Sequence, residues 1–162
     1  MSAREALARA QAELVRALSD GGPVPAGFDP ERVRAAAESL LSKRRAQVRR
    51  VWPALVAVLG PGFSEVFTAW ARDNPWRGLE PHPLVEGRRF AEALRAAGRL
   101  PPEAEDELLG FDLRWRLTAE GGVAARRGLS WKVGRVGNPR RWVLAVRLPG
   151  GRVRRWWLPS TD

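Results

Sequence analysis

The hydrophobic pattern changes its period near residue 120, and this change most limits what the chain can fold into. Before it, apolar residues recur every three or four positions between Gly and Pro breaks, which is typical of amphipathic helices. After it, apolar and polar residues alternate in short runs, which is typical of half-buried strands. The sequence therefore predicts an α+β chain, with a mainly helical domain over residues 1–120 and a three-stranded antiparallel sheet over residues 121–162.

Six helices are expected in the first part. The first, over about 3–19, begins at Ser2, whose spacing to Glu5 has the capping-box form. The second begins with Asp29 as N-cap and Pro30 at the first helical position. Four more follow: one starting at Trp52-Pro53, one carrying Phe63, Val66, Phe67 and Trp70, one after Pro83 that ends at Gly98, and one after Pro101-Pro102.

Three strands are expected in the second part. They cover Leu129 to Gly134, Arg141 to Leu148 and Val153 to Leu158, and turns at 137–140 and 149–151 separate them. A sheet of some 30 residues cannot bury enough surface to stand alone, so one face must pack on the helices or on a partner.

The net charge of +10 is carried almost entirely by the second part. Residues 1–120 hold 18 basic and 17 acidic side chains, whereas residues 121–162 hold 10 basic and 1 acidic. Such a surface favours an acidic partner, which can be a peptide, a protein or a nucleic acid.

Candidate contact residues are the arginines and tryptophans of the strands, because Arg and Trp are enriched at interface hot spots. They are Arg135, Arg141, Arg147, Arg152, Arg154, Arg155, Trp156 and Trp157, with Trp131 and Trp142 as further anchors. Because Trp156 and Trp157 are adjacent and point to opposite sides, at least one of the four tryptophans must be exposed or covered by a partner. The alternative is that most of them fill the helix–sheet interface.

Another basic cluster lies at the end of the second helix. Lys43, Arg45 and Arg49 form a secondary candidate ridge. Cations there also complement the negative end of the helix dipole, which is the simpler interpretation.

Few residues are available for catalysis or metal binding. The chain has no Cys and one His, His82, which lies between two prolines and is expected in a loop. Four carboxylates, Glu103, Glu105, Asp106 and Glu107, open the sixth helix, where negative charge stabilises the helix N-terminus. Glu103 and Glu107 could do acid–base chemistry, but no second group converges on them. We therefore expect no catalytic residue, no metal and no cofactor.

The sequence also favours a location in the cytoplasm. The N-terminus has no apolar stretch before a cleavage site. The longest uncharged run, over 51–64, is broken by Pro and Gly and is shorter than the roughly 20 residues of a membrane span. No membrane association is expected.

One stretch resembles a known family. The order Trp52-Pro53-Ala54-Leu55, Leu59-Gly60, Phe63, Phe67, Ala69-Trp70 and Pro75 is similar to the helical N-terminal domain of the methanobactin-biosynthesis partner-protein-like family, some of whose members are described as DNA-binding proteins. The resemblance covers roughly residues 5–117. It implies a partner subunit of a multinuclear non-haem iron enzyme that holds the iron itself, and a C-terminal β-rich part that presents a precursor peptide.

Two functions are therefore expected. In the first, the chain is a non-catalytic adaptor that docks an iron-dependent modifying enzyme and captures an acidic peptide by adding a strand to its sheet. In the second, the Arg and Trp side chains of the sheet bind nucleic acid by contacting phosphates and stacking bases.

Overall fold

The computed structural model describes residues 2–76, 82–136 and 141–158. Within these ranges six α-helices come first, followed by two antiparallel sheets, so the predicted α+β class is confirmed. The helices are α1 (Ala3–Asp20), α2 (Pro30–Val51), α3 (Pro53–Leu59), α4 (Phe63–Asp73), α5 (Pro83–Ala96) and α6 (Pro102–Arg114), with a 3-10 turn at Gly60–Gly62. The strands are β1 (Trp115–Leu117), β2 (Val123–Ala125), β3 (Ser130–Val136), β4 (Arg141–Arg147) and β5 (Val153–Trp157).

The caps that the sequence indicates are present. Ser2 and Glu5 form the reciprocal capping box at the start of α1, and Gly21 ends that helix with a positive φ of 66°. The Asp29 carboxylate accepts the amide of Glu31 at 2.9 Å at the start of α2. Gly98, just past α5, also has a positive φ.

The described residues divide into two compact units. One comprises residues within 1–47 and 62–81, and the other comprises residues within 48–61 and 82–162. The domain boundary predicted at residue 120 stays a prediction.

The first unit has an aromatic cluster on α4. The ring centroids of Phe63 and Phe67 are 5.6 Å apart, and those of Phe67 and Trp70 are 5.5 Å apart. Arg44 is buried and donates to the carbonyls of Ala71 (3.4 Å) and Asn74 (3.1 Å). These contacts satisfy carbonyls at the C-terminal end of α4, where a cation is favourable.

The second unit is built around Trp52. Its ring stacks on Phe111 at a centroid distance of 5.4 Å and lies against the backbone of Gly87 in α5. Leu55, Phe90 and Leu108 are also fully buried in this unit. Of the residues that carry the family resemblance, Trp52 and Leu55 are buried in this unit, and Phe63 and Phe67 are buried in the first.

The two sheets are separate. β1 pairs with β2, and β3, β4 and β5 form a meander in which each neighbouring pair is antiparallel. The β1–β2 hairpin was not expected from the sequence, since strands of three residues are too short to display an alternating pattern. In the turn between β1 and β2, hydrogen bonds from the Glu120 backbone amide and the Thr118 hydroxyl lower the pKa of the exposed Glu120 carboxyl. The turn predicted at 137–140 lies outside the described residues, as does Pro81.

One stretch, Pro53–Asp73, is long and apolar enough to cross a membrane, with a mean hydropathy of 1.4. One such stretch is weak evidence, because the core helix of a soluble protein passes the same test; here 22% of the 18-residue window with this hydropathy is buried. It is divided into α3 and α4, of 7 and 11 residues, and each is shorter than a span requires. The fold is compatible with a soluble protein.

Candidate partner-binding surface

The sheet β3–β4–β5 has two faces of different chemistry. Its register pairs Trp131 with Val146, Val133 with Leu144, and Leu144 with Trp156. Residues directly opposite each other share a face. We call one side the outer face; its members are Trp131, Val133, Arg135, Trp142, Leu144, Val146, Arg154 and Trp156. We call the other side the inner face; it carries Lys132, Gly134, Val136, Val143, Ala145, Val153, Arg155 and Trp157.

The outer face is open to solvent. The exposed fractions of its tryptophans are 65% for Trp131, 41% for Trp142 and 49% for Trp156. The guanidinium of Arg135 lies 4.9 Å from the ring centroid of Trp142, within cation–π range. None of the residues in the three strands is acidic. The outer face is therefore apolar and aromatic with positive charge.

The inner face is covered by α6. Leu109 and Leu113 of α6 form a buried cluster with Val136, Val143 and Ala145. The strand tryptophans do not fill this interface. Small and β-branched side chains fill it, and Trp157, the one tryptophan on the inner face, is 52% exposed.

Ion pairs border this helix–sheet interface. Arg155 Nη1 lies 2.9 Å from Oδ2 of Asp106, and Lys132 Nζ lies 3.6 Å from Oδ2 of Asp112. Arg88 of α5 also donates to Asp112, at 2.8 Å. Part of the positive charge of residues 121–162, called the C-terminal segment below, is thus paired with carboxylates of α6.

Two further polar side chains of the segment bind backbone carbonyls. Arg147 donates to the carbonyls of Arg126 (2.9 Å) and Gly128 (3.3 Å). Arg126 donates to the carbonyl of Asp112 (2.8 Å), near the C-terminal end of α6, and to that of Trp115 (3.1 Å), at the start of β1. Their hydrogen bonds join the segment before β3 to α6 and β4.

The predicted contact residues therefore separate by position. Arg135, Arg154 and Trp156 lie together on the outer face, and Arg152 is exposed in the turn before β5. Arg141 and Trp157 lie on the inner side, with the guanidinium 5.3 Å from the ring centroid. Arg147 and Arg155 make the intramolecular contacts given above.

Strand β5 has a free edge. Leu158 donates its amide to the carbonyl of Trp142 at 3.0 Å, and Leu148 donates to that of Arg152 at 2.8 Å. Because backbone groups of a strand alternate in direction, the amides of Val153, Arg155 and Trp157 point away from β4. Within residues 2–76, 82–136 and 141–158, those three amides have no backbone partner.

The secondary ridge on α2 is not one continuous patch. Arg45 is half-buried and donates to Thr68 Oγ1 at 3.3 Å, whereas Lys43 and Arg49 are exposed. Arg45 and Arg49 lie four positions apart and share a side of the helix, but Lys43 points elsewhere.

The acidic cluster of α6 makes structural contacts that the sequence did not reveal. The Glu107 carboxylate accepts the amides of Ala54 (3.2 Å) and Leu55 (2.8 Å), and so caps the N-terminus of α3. Glu105 pairs with Arg95, and Asp106 pairs with Arg155. Among the described residues, no group of three or more His, Asp or Glu side chains could hold a metal ion.

His82 is the residue before α5. Its carbonyl accepts the amides of Val85 (2.9 Å) and Glu86 (3.0 Å), which is a helix-capping role for its backbone. This position agrees with the loop predicted for it.

Comparison with known proteins identifies the family. A family model described as SCO6045-like, C-terminal domain, matches residues 8–96, more than half of the chain. The chain belongs to this family. The SCO6045-like match ends before α6 and before both sheets, so the outer face lies beyond it.

A relative extends this comparison. A UPF0276 protein of Streptomyces avermitilis is 40% identical over 103 residues, which are 64% of this chain and 20% of that protein. The chain therefore spans about a fifth of the length of that relative. No solved structure matches the chain.

Proposed function

We propose that this chain is a non-catalytic adaptor. Its helical part docks a separate modifying enzyme, of the non-haem iron class that the family resemblance implies, and its basic sheet holds an acidic peptide or protein. The observation that carries this proposal is the free edge of β5 beside exposed Arg and Trp side chains. The proposed location is the cytoplasm, and the adaptor would use no cofactor of its own.

The relative supports an adaptor role. About four-fifths of the UPF0276 protein lies outside the match, so a counterpart of this chain is joined there to a much longer segment. Two parts that work together as separate chains can also work as one fused chain, because a linker raises their effective concentration. In this proposal, the longer segment corresponds to the enzyme that the present chain docks as a separate protein.

The edge of β5 suits an extended peptide. The outward amides of Val153, Arg155 and Trp157 can donate to the backbone of an added strand, and the matching carbonyls can accept. Nearby arginines would favour carboxylates on that peptide by charge complementarity. Affinity would come from the backbone and selectivity from charge.

The carboxylates considered for acid–base chemistry fit a non-catalytic role. Each oxygen of Glu107 accepts one backbone amide of α3, which gives this carboxylate a capping role. Glu103 is exposed, and among the residues that the structure describes neither carboxylate belongs to a group of three or more His, Asp or Glu side chains that could hold a metal ion.

Docking of the enzyme can be tested with the relative. The segment of the UPF0276 protein outside its matched fifth would be produced alone and mixed with the full 162-residue chain, and association would be measured by calorimetry. We expect binding in trans, and no binding to an unrelated protein of similar size, which serves as the control. Failure to associate at any concentration up to the solubility limit would contradict docking.

Peptide capture needs a variant that removes one outward amide and little else. Trp157→Pro removes the side chain and the amide, and Trp157→Thr removes the side chain alone. The probe is an extended peptide of alternating Glu and Val. We expect about 3- to 10-fold weaker binding for the Pro variant than for the Thr variant, which is the value of one backbone hydrogen bond. Equal binding by the two variants would contradict strand addition at this edge.

Nucleic-acid binding remains the alternative, because Arg and Trp side chains are interleaved on the outer face. Single-stranded oligothymidylate would be titrated with the full chain and with an Arg135→Gln/Arg152→Gln/Arg154→Gln variant. Arg155 is left unchanged because it pairs with Asp106. Tight, salt-dependent binding that the variant loses would favour the alternative, and weak binding that is equal in the two would count against it.

A further inference from the structure

The inner face provides a template for how this sheet is covered. One helix, α6, places Leu109 and Leu113 over the centre of the sheet. Its carboxylates Asp106 and Asp112 reach Arg155 and Lys132, which flank Ala145 in a single cross-strand row. A helix with an apolar stripe and acidic flanks is thus the layer that this sheet accepts on one side.

The outer face also combines apolar and cationic groups, in a different arrangement and without a covering helix. Apolar side chains occupy its middle, where Val133, Leu144 and Trp156 form one cross-strand row. Arg135 and Arg154 lie at diagonally opposite corners, one on β3 and the other on β5. Within the part of the chain that the structure describes, neither of these two arginines has a carboxylate partner.

The dimensions also fit one helix. The outer strands of a three-stranded sheet are about 10 Å apart, and a helix with its side chains is about 10–12 Å across. A single helix therefore covers the width of the outer face, as α6 covers the inner face.

We propose that the outer face binds an amphipathic helix of a partner protein, with an apolar stripe over the central row and carboxylates that pair with Arg135 and Arg154. This inference rests on the proposed function in one respect, that the chain acts by binding another protein, and it specifies the chemistry of the partner. The free edge of β5 and the outer face are different surfaces, so the helix and an added strand can bind together.

The aliphatic centre favours a helix over single-stranded nucleic acid. Platforms for bases present aromatic rings to successive bases. Here Val133, Leu144 and Val146 separate Trp131 from the other two tryptophans in the register. An apolar centre with arginines at the border is instead the composition of a protein interface.

The probe is a designed 18-residue peptide that is helical, with Leu on one face and Glu along both borders of that face. A matched peptide has Gln in place of every Glu, and a scrambled peptide has the same composition without the stripe. Binding to the full-length chain would be measured by calorimetry at low and high salt. We expect the Glu peptide to bind more tightly than the Gln peptide, by about 3- to 10-fold at low salt, and the difference to shrink at high salt.

Variants of adjacent residues locate the binding. Trp156 lies on the outer face. Trp156→Thr should weaken binding of the Glu peptide by roughly 30-fold or more, as expected for an interface anchor. Trp157→Thr, next to it on the inner face and similarly exposed, should leave binding unchanged. Arg135→Gln/Arg154→Gln should remove the preference for Glu over Gln, whereas the exposed Arg127→Gln should retain it. Circular dichroism melts would show whether each variant is folded.

Several outcomes would overturn the inference. These are equal binding by the scrambled peptide, no binding by the Glu peptide at millimolar concentration, or equal losses from Trp156→Thr and Trp157→Thr. Self-association that Trp156→Thr abolishes would assign the face to a second copy. Tighter binding of oligothymidylate that Arg135→Gln/Arg154→Gln abolishes would assign it to nucleic acid. Failure of enzyme docking with intact helix binding would contradict the proposed function and leave this inference standing.

Discussion

The indole of Trp52 lies so close to the backbone of Gly87 that a Cβ at Gly87 would overlap the indole atoms Cδ1 and Nε1. This contact joins the residue before α3 to the middle of α5, and both residues are buried. Gly is therefore required here for close approach, not for an unusual backbone conformation.

Gly87→Ala should destabilise the protein. Ala gains about 1 kcal/mol of helix propensity over Gly, but overpacking against a rigid ring costs more, and we expect a net loss of about 1–3 kcal/mol in the free energy of unfolding. Urea-induced unfolding followed by circular dichroism would measure it. Gly110→Ala is the control, since a Cβ there meets only the flexible end of Arg114, at 3.1 Å. A loss for Gly110→Ala as large as that for Gly87→Ala would contradict this account.

Glu107→Ala should destabilise α3. The helix has no side-chain cap of its own, and the Glu107 carboxylate accepts two of its first amides. Loss of an N-cap costs about 1–2 kcal/mol, and we expect that loss in the same unfolding experiment. Glu103 lies in α6, like Glu107, but is exposed. Glu103→Ala should therefore change the free energy of unfolding by less than about 0.5 kcal/mol. Equal effects of the two substitutions would indicate that these carboxylates stabilise the protein through the dipole of α6 and not through the cap on α3.

The position of these contacts explains which features the sequence could predict. The six helices follow from local signals, namely the Ser2 capping box and the Pro and Gly residues at helix ends. The cap that Glu107 gives to Leu55 joins residues 52 positions apart, so no local pattern indicates it. The carboxylates Glu105, Asp106 and Glu107 of α6 contact Arg95, Arg155 and the first amides of α3, and these partners depend on tertiary packing.

The sheet illustrates the same limit. Alternation predicts that Trp156 and Trp157 lie on opposite faces, and the register confirms it. Alternation does not indicate which face α6 covers. The small side chains of Gly134 and Ala145 admit Leu109 and Leu113, so the face with the smaller residues became the buried one.

The Arg155–Asp106 pair should contribute little to stability. Both side chains are 40% exposed, and exposed pairs are worth about 0.2–1 kcal/mol. A double-mutant cycle with Arg155→Gln and Asp106→Asn would measure the coupling energy, which should fall when NaCl is raised to about 1 M. A coupling well above that range, or one that salt does not change, would indicate a buried rather than a surface pair.

Trp131→Thr should hardly change the free energy of unfolding. Its side chain is 65% exposed, and surface substitutions usually act within about 0.5 kcal/mol. Trp52→Leu, which shrinks a buried ring in contact with Phe111, should cost at least about 2 kcal/mol. The comparison tests whether the outer face is free of intramolecular packing, because a costly Trp131→Thr would place this side chain in a core.

Arg147→Ala separates a structural arginine from a contact arginine. Its guanidinium donates to the carbonyls of Arg126 and Gly128, and hydrogen bonds from charged groups contribute about 1.5–3 kcal/mol when well shielded. Because Arg147 is only half-buried, we expect a loss of about 1–2 kcal/mol on urea unfolding. Arg127 is exposed, and Arg127→Ala is the matched control. It should change the free energy of unfolding by less than about 0.5 kcal/mol. If Arg147→Ala weakens peptide or helix binding without any loss of stability, Arg147 belongs to the binding surface and the structural role given to it here is wrong.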